Sequence, residues 1–153
     1  MQSIEQYLEE HPFFEGLGEE SLTLIAGCAR NIHVPAGAFL LRAGEQADTF
    51  YAIRHGRVAI ELGGPAGGPV VLDSVHDGEI VGWSWLIPPH RWKFDARASE
   101  PTSAVAFDGA CLRGKCESDT ALAYGLLLRV AQVMDRRLQS ARVRLLDMYG
   151  VSP

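Results

Sequence analysis

Between Asn31 and Phe107 the chain is cut into short apolar runs separated by glycine-bearing turns, and that punctuation constrains the fold more than any other feature. The runs include Ala38–Leu41, Phe50–Ile53, Val58–Ile60, Val70–Leu72 and Ser103–Phe107. The turns are Pro35-Ala36-Gly37, Gly44-Glu45, His55-Gly56 and Asp77-Gly78. Pro-x-Gly and Asp-Gly carry turn chemistry because glycine accepts a positive φ that other residues resist. Short apolar runs between such turns read as strands, and many of them at regular spacing imply a sandwich or barrel. The longest loop candidate, Gly63–Pro69, reads as a plain hairpin tip.

Both flanks read as helix. Before Arg30, Glu19 and Glu20 suit the first turn of a helix that follows Gly18, and Leu22, Ile25, Ala26 and Ala29 fall on one face. Ile4, Tyr7 and Leu8 suggest a shorter helix ahead of the turn His11–Phe14. From Asp108 to Pro153 the pattern is again helical. Tyr124, Leu127, Ala131, Met134, Leu138, Ala141, Leu145 and Met148 alternate steps of three and four residues. That is a heptad seam, and a regular period of 3.5 residues implies a partner helix, so a homodimer through the C-terminal helix is expected. A second face, Leu126, Val130 and Val133, is free to pack on the β body. The expected fold class is mainly β with flanking helices, in one domain over residues 1–153: N-terminal helices at 1–30, the β body at 31–107 and C-terminal helices at 108–153.

Composition removes several functions. The net charge of −5 argues against a general nucleic-acid or anionic-membrane surface. No apolar run approaches the length of a membrane span, and the N-terminus lacks the basic start and apolar middle of a signal peptide. Three cysteines (Cys28, Cys111, Cys116) cannot all pair, which points to reduced structural thiols and a cytoplasmic location. The five histidines are dispersed, so no metal site is expected, and three thiols fall short of the four an iron–sulfur cluster takes as a rule. No serine–histidine–acid arrangement stands out, so no catalytic residue is assigned and the chain is not expected to be an enzyme. Arg129, Arg136, Arg137, Arg142 and Arg144 on the long helix read as its solvated flank.

The chemistry concentrates between Gly78 and Ala98. All three tryptophans (Trp83, Trp85, Trp92) lie there, with Pro88-Pro89 and the cations Arg91, Lys93 and Arg97. Gly82 follows the strand-like pair Ile80-Val81. A strand that meets glycine and then a compact turn can present backbone N–H groups to an anion.

Short helices, a glycine-punctuated β-roll and a long helix follow the order of the cyclic nucleotide-binding domains of the catabolite-activator and protein-kinase-regulatory type. The run Val34–Val58 resembles that family's first half: the early Pro-x-Gly turn, Gly44-x-x-Ala47-Asp48, the Tyr51-x-Ile53 strand and the Gly56-x-Val58 turn. The resemblance extends over roughly Pro12 to Tyr149 and implies a jelly-roll or β-roll fold. In that family the ligand sits in a cassette that opens at a glycine after a strand. A glutamate beside the glycine holds the ribose hydroxyl, and an arginine about ten residues on holds the cyclic phosphate. Gly82 matches the glycine, and Arg97-Ala98 resembles the strand that closes the cassette. The glutamate position is then Trp83 and the arginine position Trp92.

A phosphate must be desolvated in a pocket, and a bidentate arginine offsets that cost where an indole cannot. Tight binding of cyclic AMP or cyclic GMP is therefore not expected. Arg91 and Lys93 flank the arginine position, and Ser84 lies beside Trp83, so Gly82, Trp83, Ser84, Arg91, Trp92 and Lys93 are the candidate ligand-binding residues. The tryptophans have three readings: plugs that extend the core, walls of a pocket for another small anionic or aromatic effector, or a partner-binding patch made with Pro88 and Pro89. What the resemblance implies is a non-catalytic bacterial-type regulatory or sensor domain without a cofactor and without the DNA-binding module that the family's transcription factors add. The competing expectation is a dimeric protein–protein interaction module with a vestigial pocket.

Overall fold

At Gly56 the chain leaves one β-sheet and enters another. Its φ is +126°, and a Cβ there would stand 2.5 Å from Thr102 Oγ1 and 2.8 Å from Thr102 Cα, so only glycine fits. The computed structural model describes residues 3–63 and 68–150. The residues at 64–67 of the expected hairpin tip lie outside the described residues.

The first sheet has the order β1 (Ala29–Val34), β8 (Thr102–Asp108), β3 (Thr49–His55) and β6 (Ile80–Val81). The second has the order β2 (Phe39–Leu41), β7 (Asp95–Ala98), β4 (Arg57–Leu62) and β5 (Val70–His76). Every pairing is antiparallel. The apolar runs singled out in the sequence fall on strands, save that β2 begins at Phe39 rather than Ala38 and β5 continues past Leu72 to His76. Leu41, Val58, Ile60, Val75 and Ala96 of the second sheet join Phe50, Ala52, Ile80 and Val81 of the first in one buried cluster. Burial of four consecutive residues, Ala104–Phe107, shows that the central strand β8 is covered on both faces.

Helices α1 (Ile4–Glu10) and α2 (Glu19–Ala26), separated by a 3-10 turn at Pro12–Phe14, precede the sheets. Ser3 caps α1 through a reciprocal exchange with Gln6, and Gly18 is the N-cap of α2. The helical face drawn through Ala29 runs too far. The helix ends at Ala26, and Ala29 opens β1 opposite Phe107. Helix α3 (Gly109–Ser118) starts at the Asp108 cap, and α4 (Thr120–Met148) starts at the Asp119 cap. Leu126, Val130 and Val133 of α4 are buried against the body, as their spacing predicts. All eight seam residues, from Tyr124 to Met148, are exposed on the other side.

Two expectations are corrected. Cys28 and Cys111 form a disulfide across 83 residues, leaving Cys116 as the free thiol. The two residues are far apart in sequence, and only the docking of α3 on the end of α2 brings them together. The arginines of α4 are not all a solvated flank. Arg129 donates to the Glu15 and Gly125 carbonyls, Arg137 to the Ile80 carbonyl and Arg144 to the Leu72 carbonyl. A guanidinium's five donors suit such carbonyls, and these three side chains tie the helix to the body.

Candidate functional site

The candidate site begins where β6 ends. Val81 is buried, and the next residue, Gly82, has φ +93°. The carbonyls of Trp83 and Ser84 accept from the amides of Leu86 and Ile87, closing a tight turn. The chain then passes the cis Pro88-Pro89 bond and His90, whose φ is +59°. The returning arm, His90–Trp92, is stitched to the loop between β2 and β3. Ala47 N donates to the His90 carbonyl at 2.7 Å, Trp92 N to the Glu45 carbonyl at 3.0 Å and Gly44 N to the Trp92 carbonyl at 2.8 Å.

That extended arm sets which side chains enter the roll. Successive residues on extended backbone point to opposite sides. Trp92 turns inward and is 4% exposed, while its neighbours Arg91 and Lys93 are exposed. The Arg91 guanidinium is held outside by a 3.1 Å hydrogen bond from Nη1 to the Gly44 carbonyl. The Trp92 ring lies directly over Gly82, where a Cβ would stand 2.6 Å from two ring carbons.

The other two tryptophans have different surroundings. Trp83 is half-buried, and the Arg137 guanidinium of α4 sits 4.9 Å from its ring centroid. Burial draws the Arg137 pKa down from its ordinary value, while Asp73 and Glu79 pull the other way. Trp85 is fully buried and stacks on Phe50 with centroids 4.6 Å apart, and Phe50 stacks in turn on Phe107 at 4.5 Å. Such ring pairs contribute about 0.5–1.5 kcal/mol each beyond their buried area. Trp85 Nε1 has no hydrogen-bond partner among the described residues. Ser84 is buried between these two indoles in sequence and is 8% exposed.

Of the candidate residues, Gly82, Ser84 and Trp92 are buried, Trp83 is half-buried, and Arg91 and Lys93 are exposed. Sequence reasoning missed Arg113 of α3, which fixes the turn from behind. Its Nη1 donates to the Trp85 carbonyl at 2.5 Å and to the Ala47 carbonyl at 3.3 Å. It also missed the contact of Arg137 with Trp83. Neither has a local signal, since both act on residues more than twenty positions away. Among the described residues no group of histidine, cysteine and carboxylate side chains is gathered to hold a metal ion.

In the register that the resemblance implies, a cyclic phosphate would meet the Trp92 indole, while Arg91 and Lys93 on either side of it are exposed. What the turn can offer instead is aromatic packing within and a cationic rim without.

A family model, the cyclic nucleotide-binding domain, matches residues 31–119, more than half of the chain. Among solved structures, a putative cyclic nucleotide-binding protein from Geobacter metallireducens is 31% identical. The match covers 90% of this chain and 99% of that one, with a TM-score of 0.79. A cyclic nucleotide-binding domain from Methylobacillus flagellatus has the same TM-score at 20% identity, over 95% of this chain and 82% of that one. The sensor domain of the transcriptional regulator DNR from Pseudomonas aeruginosa is 23% identical over 88% and 91% of the two chains, with a TM-score of 0.70. The last two are alike in fold alone.

Proposed function

The chain belongs to the cyclic nucleotide-binding domain family, and from that premise we propose that it is a non-catalytic regulatory module whose roll is filled by its own tryptophans. The observation that carries this reading is the Trp92 indole packed on Gly82, the two residues that the resemblance aligns with the family's cassette. A module built this way acts through its surfaces. The exposed seam of α4 supports a homodimer as the form that a partner protein meets, because apolar side chains repeated from Tyr124 to Met148 make an unfavourable solvent face. No helix among the described residues is long and apolar enough to cross a membrane.

A small-effector sensor is the second reading. It is favoured by the exposed Arg91 and Lys93 beside the turn, and by Trp83 being only half-buried. It requires Trp92 to leave the roll, and ligand binding then drives the change only by its differential affinity for the two arrangements.

Calorimetric titration with cyclic AMP and cyclic GMP separates these readings from ordinary nucleotide binding. No heat of binding is expected at micromolar ligand. A dissociation constant in the low micromolar range would sink the filled-roll reading and identify Arg91 as a displaced phosphate ligand. A thermal-shift screen of other anions and aromatic metabolites tests the sensor, since a ligand of the native state raises stability by mass action.

A further inference from the structure

We propose that Cys28 and Cys111 form a reversible dithiol–disulfide switch, reduced by a thioredoxin-type dithiol, that sets how firmly α3 holds the cassette turn. The inference goes beyond the regulatory reading and does not depend on what occupies the roll.

The bond joins the end of α2 to the first turn of α3. Helix α3 is also the element that grips the turn. Gly109 N donates to the Asp48 carbonyl at 2.7 Å, and a Cβ on Gly109 would stand 3.0 Å from Trp85 Cβ. One helical turn on, Arg113 holds the Trp85 and Ala47 carbonyls. Lys115 Nζ reaches back to the Leu24 carbonyl of α2 at 2.6 Å. With the sulfur bridge cut, the polar ties left between the two segments are Lys115 and the 2.9 Å bond from Asp108 N to the Cys28 carbonyl, beside the apolar packing of Leu112 in the core. Cutting the bridge also opens a covalent loop that contains the whole roll, and releasing so long a loop raises the freedom of every element it encloses.

Cys28 is buried at 7% exposure and Cys111 is half-buried, so an external thiolate would attack at the Cys111 sulfur. Both cysteines line an open hollow of about 520 Å³, with Arg30, Asp48 and Thr49 on its wall. Cys111 is the third residue of α3, in the turn that the Asp108 side chain caps. Cys116, on the same helix, is a weak competitor because burial, aided by Asp119, pushes its thiol pKa up.

The step is ordinary thiol–disulfide exchange. A thiolate of the external dithiol attacks one sulfur of the pair, breaks the Cys28–Cys111 bond and releases the other sulfur as thiolate. The second thiolate of the reductant then breaks the mixed disulfide. Two electrons pass from the dithiol to the cysteines, two protons from water complete their thiols, and the reductant leaves as a disulfide.

The experiment uses the full chain without denaturant. Thiols are counted by alkylation and mass spectrometry before and after dithiothreitol, and amide exchange is followed in both states. One reactive thiol, Cys116, is expected before reduction and all three cysteines after it. Circular dichroism should stay unchanged, while amide exchange in α3 and over Trp85–Ile87 rises about tenfold. Oxidised glutathione should reverse the rise. Cys116→Ser should keep the response. Cys28→Ser and, independently, Cys111→Ser should show the reduced pattern and ignore dithiothreitol. If either serine variant fails to fold, the reduction and reoxidation cycle of the unmodified chain decides alone. Three reactive thiols before any reductant, a bond that yields only on unfolding, or reduction without a change in exchange would each overturn the proposal.

Discussion

The Trp92 ring rests on the Cα of Gly82, so near that this glycine has no room for a side chain. The glycine is fixed twice, by its φ of +93° and by the indole above it. Gly82→Ala is therefore expected to destabilise the fold by about 2–4 kcal/mol, from left-handed backbone strain and a clash together. Urea unfolding of Gly82→Ala, Trp92→Ala and the double variant measures the two causes. In the double variant the clash is gone and only the backbone strain remains, so its loss should be smaller than the sum of the singles. Strict additivity would mean that the ring and the glycine do not meet.

Trp83→Glu alone should bind no cyclic nucleotide, since the phosphate would still lack a cation. Trp83→Glu with Trp92→Arg should bind weakly. A charge-assisted pair contributes about 1.5–3 kcal/mol, roughly ten- to hundredfold in affinity. Calorimetry on both variants checks this. A folded double variant with no affinity at all would show that these two positions are not those of the family's glutamate and arginine.

Leu138 is 50% exposed near the middle of the α4 seam. In a homodimer it would be covered, contributing about 1.5–3 kcal/mol per chain. The unmodified chain should sediment as a dimer at micromolar concentration and Leu138→Asp as a folded monomer, because a dry interface penalises two carboxylates. A monomeric unmodified chain would sink the coiled-coil reading.

His11 predicts an acid-labile step. The residue is 3% exposed, its Nδ1 accepts from Phe13 N at 3.2 Å, and its Nε2 makes no well-formed hydrogen bond among the described residues. Burial lowers its pKa from 6.5 to about 4, offset in part by the Ile53 carbonyl. Above pH 6.5 the ring is neutral in the folded and unfolded chains, and its contribution is complete. As pH falls from 6.5 towards about 4 the unfolded chain takes up a proton that the folded chain refuses, and stability is lost. The loss reaches about 3 kcal/mol at most. His11→Asn keeps a side-chain acceptor for Phe13 N and cannot titrate. Its unfolding free energy should fall less steeply than that of the unmodified chain over this window, and equal slopes would refute the assignment.

The strands were legible in the sequence because glycine turns and apolar runs are local signals, and β3 and β4 show this on either side of Gly56. Ala29 was misread because a short helix running into a strand continues the same apolar spacing for one more step. The two faces of α4 were legible too, since a period of 3.5 residues separates them. The site was less so. Counting from Gly82 picked out Trp83 and Trp92, yet nothing local marks Trp85 as the indole that enters the stack with Phe50 and Phe107. The Cys28–Cys111 bond and the grips of Arg113 and Arg137 join residues that only the finished fold brings together. Their partners are mostly backbone carbonyls, which leave no trace in residue identity.

Arg144 carries a consequence for solubility. Strand β5 is the outermost strand of the second sheet, and Val70 and Val71 are each 57% exposed on it. An open edge of that kind is a template on which further strands can add, chain upon chain. Arg144 donates to the Leu72 carbonyl in the middle of this edge and lies 3.9 Å from Asp73. The far end of α4 thus occupies one backbone acceptor of β5 and sets a cation beside it, and charge at a sheet edge disfavours the addition of further strands.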